Sequence, residues 1–260
     1  MKNPGSTEIN AQAYTSNSEI QLSLADRLLE NYSFREDSNV LDIGCGDGRI
    51  TSNIAMKVPK GSAIGIDASA NMIDYAKSHY PPDKFSNLQF FCRKAEELSL
   101  QQKFDHIVSF NCFHWVRPWK KTLTLFHNLL NPVGEILMLT YPKDSLYYIP
   151  FHEASGHFPE YLDRAACATM FTALELENAL RELGMTIETF ESYNSTISYE
   201  DSTAMKDFTR IWLTSYIPLP EDQQEKFLDI LVEKTIPYRI DKGDGKIHLP
   251  YTALFVKAIK

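Results

Sequence analysis

The sequence predicts an α/β fold built on a mostly parallel sheet with helices between the strands. Three observations carry this. Short β-branched runs alternate with helix-length segments from about residue 39 to 141. The first run, Val40-Leu41-Asp42-Ile43, opens into a turn with glycines at alternate positions, Gly44, Gly46 and Gly48. The second run, Ser62 to Ile66, ends in Asp67, 21 positions after Gly46.

Taken in order, an amphipathic helix is expected over about residues 18–33, with Ile20, Leu22, Leu24, Ala25, Leu28 and Leu29 on one face. Residues before about 13 are polar and expected to be mobile. The strand at 39–43 is too short and too β-branched for a helix. A helix from about Asp47 to Lys57 follows, ended by Pro59-Lys60-Gly61. The strand at 62–67 leads to a helix from Ala70 to Tyr80, with Ser69 as N-cap and Pro81-Pro82 as the stop. Strands are expected at 88–92 and 104–109. Next come a helix from Trp119 to Leu130 behind Pro118, a turn at Asn131-Pro132-Val133-Gly134, and a strand at 135–141. Strands and helices alternating at these lengths imply right-handed crossovers.

Beyond Tyr141 the pattern changes. Residues 142–172 are rich in Pro, Tyr, Phe and His without clean periodicity, and read as a lid inserted over the edge of the site. A helix at 174–183, a long strand at 186–197, helices at 208–216 and 221–236, and a closing strand at 251–259 complete the chain. The expected organisation is one domain over residues 1–260: N-terminal helix, cofactor core at about 35–141, lid at about 142–172, and closing strands with helical additions at about 173–260.

Composition narrows the function. Hydrophobic residues make up 43% and charged residues 23% of the 260, an ordinary globular balance. A net charge of −8 without a Lys/Arg cluster disfavours nucleic acid as partner. No apolar run approaches the ~20 residues that span a bilayer. The N-terminus lacks a signal-peptide core, so the expected setting is cytoplasmic, as a monomer or weak dimer. Cys45, Cys92, Cys112 and Cys167 have no paired ligand spacing. They are expected to be small, reduced core residues, and no metal is expected.

The glycine turn lets backbone N–H groups and a helix N-terminus face a ligand. No Gly-Lys-Ser/Thr follows, which disfavours a P-loop. A dinucleotide fingerprint would place its third glycine one residue later. An acidic residue at the end of the second strand of such a unit reaches ribose hydroxyls. Together, D-x-G-x-G-x-G and Asp67 resemble the class I S-adenosylmethionine-dependent methyltransferases, with a Rossmann-like seven-stranded sheet whose last strand is antiparallel. The resemblance implies S-adenosylmethionine as cofactor and S-adenosylhomocysteine as product. It implies a cofactor site made of Asp42, Gly44, Cys45, Gly46, Asp67, Ala68, Met72, Ala95, Glu96 and Asn111. Asp42 would orient the cofactor's methionine end or serve as a turn partner. Met72 would pack on adenine or in the core. Family members often carry Asp-Ala-Glu after the third strand; this chain has Lys94-Ala95-Glu96, so only the backbone of Ala95 and Glu96 inherit the adenine contact.

The stretch Phe104-Asp105-His106-Ile107-Val108-Ser109-Phe110-Asn111-Cys112-Phe113-His114-Trp115-Val116 is similar to juvenile hormone acid O-methyltransferase. It also resembles the broader trans-aconitate and malonyl-carrier methyltransferases, which place Trp at the position of Trp115. Tyr14, Gln21 and Ala25 match the spacing of that family's N-terminal helix. The resemblance implies Gln21 orienting a substrate carboxylate, Trp115 forming a pocket wall, and His114 bonding near the acceptor. Asn111 departs from the insect members, which tend to an aromatic there. The lid carries its own Tyr147, Tyr148, Phe151 and Phe158, which would line an acyl pocket or form their own core. The implied activity is carboxyl O-methylation of a small, partly apolar organic acid. Two alternatives stand beside it. One is methylation of a phenol, amine or carrier-bound acyl group with His114 as base; the other is a binding protein that keeps the cofactor fold without turnover.

Overall fold

The computed structural model describes residues 24, 25, 28, 29, 32–163 and 165–260, apart from the side chain of residue 166. The strands are β1 (Asn39–Ile43), β2 (Ser62–Asp67), β3 (Leu88–Cys92), β4 (Phe104–Phe110), β5 (Leu130–Thr140), β6 (Thr186–Tyr199) and β7 (Ile247–Ile259). They form a seven-stranded sheet in the order β3-β2-β1-β4-β5-β7-β6. The sheet is mostly parallel and β7 is antiparallel, as expected.

The pairs β1·β2, β1·β4, β2·β3 and β4·β5 are parallel, so the carboxyl ends of the first five strands share one edge. After β3 the chain returns past β1 to lay β4 on its other side, with Asp42 opposite Val108. The sheet therefore reverses its order between β1 and β4, and the crevice outside that point is where α/β sheets bind ligands. The inner strands read as continuous apolar runs because both faces are covered. Leu41, Ile43, Ile107, Val108, Ile136 and Leu137 are all at most 1% exposed. Burying each such side chain contributes roughly 1.5–3 kcal/mol.

The chain forms two compact units. The first holds the described residues up to 140 with 174–191 and 255–260, and the second holds the described residues of 141–173 and 192–254. In the second, the helix Glu221–Thr235 packs on the helix Ile149–Ser155. Tyr148, Phe151, Phe158, Tyr216 and Phe227 are buried there, and Tyr148 stacks on Tyr216 at 5.8 Å. Tyr147 bonds Tyr199 hydroxyl to hydroxyl at 3.1 Å. The aromatics of the expected lid thus form a core of their own unit.

Several boundaries differ from expectation. The helix after the glycine turn runs Arg49–Lys57, because Gly48 at φ 82° sits outside it as the cap. Residues 131–134 bulge out of the β4·β5 ladder, with Leu130 opposite Phe104 and Glu135 opposite His106, so the expected turn is an excursion within β5. The helix expected at 208–216 is two helices, Ser202–Arg210 and Leu213–Tyr216. Asp201 caps the earlier start by accepting from the Ala204 amide at 2.8 Å. Of the N-terminal helix, Leu24, Ala25, Leu28 and Leu29 are helical, with Ala25 and Leu29 buried. The expectations for residues 1–13, Tyr14, Ile20, Gln21 and Leu22 lie outside the described residues. No helix among those described is long and apolar enough to cross a membrane.

Candidate functional site

The glycine turn leaves β1 at the reversal point. Its first two amides, Gly44 and Cys45, both donate to the Ile66 carbonyl of β2, at 2.8 and 2.9 Å. Gly44, Gly46 and Gly48 all have positive φ, which side chains resist. Space separates their uses. A Cβ on Gly44 would lie 2.2 Å from Cys112 Sγ, and one on Gly48 would lie 2.7 Å from the Phe90 ring. Those two glycines admit neighbours. A Cβ on Gly46 would meet nothing within 4 Å, so this backbone faces open space.

Asp67 ends β2 beside that opening. Its Oδ2 accepts from the Gly46 amide at 3.1 Å and its Oδ1 from the Ser69 amide at 2.8 Å. Burial raises its carboxyl above the usual range, against the pull of these backbone donors. The Ala68 amide is a further backbone donor to this carboxylate, whose two oxygens form an acceptor pair suited to a vicinal diol. The open Gly46 backbone and this acceptor pair fit an adenosine ribose.

Ser69 caps the helix Ala70–His79, accepting from the Met72 amide at 3.4 Å, as expected. Met72 is 2% exposed, within the core of that helix face, whereas Ala68 is exposed. Ala95 is buried at the start of the short turn Ala95–Glu97, and Glu96 is half-buried. Lys94, in the position where the resemblance places an acid, pairs with Glu97 at 3.8 Å.

Asp42 is 2% exposed, and its Oδ2 accepts a 2.6 Å bond from the Thr51 hydroxyl. Burial pushes its carboxyl up to about 7; Asp67 and Asp47 add to the rise and the Thr51 bond opposes it. The sequence reading missed Thr51. Its signal would have been a hydroxyl in the first turn of the helix that follows a carboxylate-bearing strand end.

Beyond β4, Asn111 adopts φ 58°, a conformation Asn tolerates better than most residues. Its amide donates to Leu139 of β5 at 2.8 Å. The chain then turns through Phe113–Trp115. Phe113 is fully buried against Phe126, which anchors the turn. His114 is 3% exposed, its ring 4.8 Å from that of Trp115 and its Nδ1 3.5 Å from Thr140 Oγ1 at the end of β5. Burial first, then the Arg117 charge, lowers the imidazolium pKa to about 3. His114 is therefore neutral across the physiological range and a weak base. Thr140, fully buried at the end of β5, is a second polar residue that the sequence reading did not single out.

Asp42, the glycine turn, Asp67, Ala68, Asn111 and the His114 turn thus lie at or just beyond the carboxyl ends of β1, β2, β4 and β5, and Ala95 beyond β3. Gln21 lies outside the described residues. The cysteines need one correction: Cys45 and Cys167 are buried and Cys112 half-buried, but Cys92 is exposed, because it is the last residue of β3, the strand at the edge of the sheet. All four are free thiols, and burial raises the pKa of Cys45 and Cys112. Among the described residues, no three His, Cys, Asp or Glu side chains are grouped to hold a metal.

Residues 16–189 match a family model described as a methyltransferase domain. The juvenile hormone acid O-methyltransferase of Drosophila melanogaster is 25% identical over 256 residues, covering 91% of this chain and 86% of that protein. The malonyl-[acyl-carrier protein] O-methyltransferase of Priestia megaterium is 31% identical over 59% of this chain and 55% of its own length. Among solved structures, the YcgJ protein of Bacillus subtilis superposes with a TM-score of 0.65 at 20% identity, covering 93% of this chain and 98% of that one. That likeness extends the fold assignment to nearly the whole chain.

Proposed function

The chain belongs to the methyltransferase-domain family, and we propose that it uses S-adenosylmethionine to esterify the carboxylate of a small, partly apolar organic acid. The cofactor supplies an electrophilic methyl group on a sulfonium sulfur and leaves as S-adenosylhomocysteine. In-line displacement asks the protein mainly to align nucleophile, carbon and sulfur.

Asp67 receives the ribose hydroxyls on its two carboxylate oxygens, and Gly46 gives the cofactor close approach to the backbone. Asp42 holds the cationic methionine end. Ala68, Met72, Ala95 and Glu96 border the adenine, and Asn111, with Gly44 and Cys45, completes the cofactor's side of the crevice. Gln21 orients the acceptor's carboxylate and Trp115 walls its pocket. His114, neutral and buried, donates or accepts a hydrogen bond near the acceptor.

One feature carries the choice of acceptor: His114 is 3% exposed with its Nδ1 3.5 Å from the Thr140 hydroxyl, and burial and the Arg117 charge hold it neutral. A carboxylic acid has an unperturbed pKa of about 4, so it is ionised at neutral pH and needs no base. A phenol or amine acceptor would call for a base poised near neutrality, which a histidine held this low does not supply. The relative named for a hormone acid supports the same choice, whereas the one named for malonyl-[acyl-carrier protein] matches the carrier-bound alternative. The experiment is a panel of organic acids, phenols and amines incubated with methyl-labelled cofactor. Label is expected in an alkali-labile ester of an acid; label in phenols or amines alone would overturn the proposal.

A further inference from the structure

The Asp42–Thr51 pair joins the end of β1 to the first turn of the helix Arg49–Lys57. Both side chains are buried, at 2% and 1% exposure, and the bond between them is a short 2.6 Å. A helical threonine commonly returns its hydroxyl to a carbonyl three or four residues back. Thr124, Thr122 and Thr209 do so in this chain, each to the residue four before it. Thr51 instead commits its hydroxyl to a carboxylate, on the strand end beneath the glycine turn.

The titratable groups around Asp42 are Asp67 at the end of β2, Asp47 and Cys45 on the turn, and Cys112 beyond β4. All are acidic. Burial and the Asp67 and Asp47 carboxylates favour the protonated carboxyl, the two thiols being uncharged, and the Thr51 hydroxyl is the donor that opposes them. A hydrogen bond to a charged group is among the stronger ones a side chain makes.

Resting on the reading that the cofactor's methionine end meets Asp42, we propose that Thr51 is a positioning residue for methyl transfer, fixing one oxygen of the Asp42 carboxylate and holding it as the anion that receives a cationic ligand group. A protonated Asp42 would present a neutral carboxyl to that cation. Thr51 therefore sets the pH above which the site takes up its cofactor.

The test is calorimetric titration of S-adenosylhomocysteine, whose α-ammonium is the cation, into wild type, Thr51→Val, Thr51→Ala and Thr51→Ser from pH 5.5 to 9. In wild type, affinity should fall as pH drops through the Asp42 titration. In Thr51→Val and Thr51→Ala the midpoint should move up by about one pH unit, an affinity loss of about tenfold at pH 6–7 that shrinks toward pH 9. Thr51→Ser should restore the wild-type profile. The ligand's own amine titrates alike in every variant. A loss of equal size at every pH in both Val and Ala variants, or no loss, overturns the role of Thr51 while leaving the cofactor site standing. No binding by wild type at any pH overturns the cofactor reading together with it.

Discussion

The Gly46 amide donates to Asp67 Oδ2 at 3.1 Å, so the glycine turn and the acidic end of the second strand form one hydrogen-bonded unit. The same carboxylate also takes the Ser69 amide and thereby steadies the next helix start. Asp67→Ala should weaken S-adenosylhomocysteine binding by about 1–3 kcal/mol, since ribose hydroxyls would lose their acceptor. It should also lower the melting temperature, because the backbone donors of Gly46, Ala68 and Ser69 lose theirs. Asp67→Asn, which keeps an acceptor oxygen, should recover part of the stability and less of the affinity. Calorimetry and thermal unfolding on the same samples check this; unchanged affinity in both variants would remove Asp67 from the site.

The glycines should separate in the same two measurements. Gly44→Ala places a methyl group against Cys112 at a left-handed φ, and should cost about 2 kcal/mol or more of stability. Gly46→Ala has open space around it and should cost about 1 kcal/mol for its φ alone. Its cofactor affinity should nevertheless fall at least roughly tenfold, as the methyl group occupies the approach to the backbone. Equal stability losses with unchanged affinity for Gly46→Ala would place the cofactor elsewhere.

Asp42 makes stability depend on pH in a direction opposite to a salt-bridged carboxylate. Its folded-state pKa of about 7 lies above its unfolded value, so the folded protein binds the extra proton between about pH 4 and 7. Stability therefore falls as pH rises through that window, and the full penalty is present above it. Asp42→Asn removes the penalty and should raise the melting temperature of the ligand-free protein at pH 8, by an amount on the order of 2–4 kcal/mol in stability. At pH 5 the gain should be much smaller. A melting-temperature difference independent of pH would contradict the assignment.

What was legible in the sequence was what local rules determine. Gly44, Gly46 and Asp67 stand out because left-handed turns demand glycine and an acidic strand end 21 residues on is a spacing, not a tertiary fact. Ser69 as a cap is equally local. Thr51 and Thr140 were not legible, because a hydroxyl's partner is decided by which element lies opposite it. The exposure of Cys92 depends on β3 ending the sheet, and strand order does not appear in a linear pattern. The helix at Ser202–Arg210 was hidden for a different reason: its start rests on the Asp201 cap, and apolar periodicity drew attention to the residues after it.

The central claim is that the acceptor arrives already ionised and His114 places it without removing a proton. The most direct measurement is kcat against pH for wild type and His114→Gln on the best acid substrate, at saturating cofactor so that bound cation keeps Asp42 ionised. The account predicts a profile flat from pH 6 to 9, with His114→Gln retaining substantial turnover because the amide still offers a hydrogen bond. A near-inactive His114→Gln, together with a wild-type rate that climbs through a histidine-like ionisation, would contradict it.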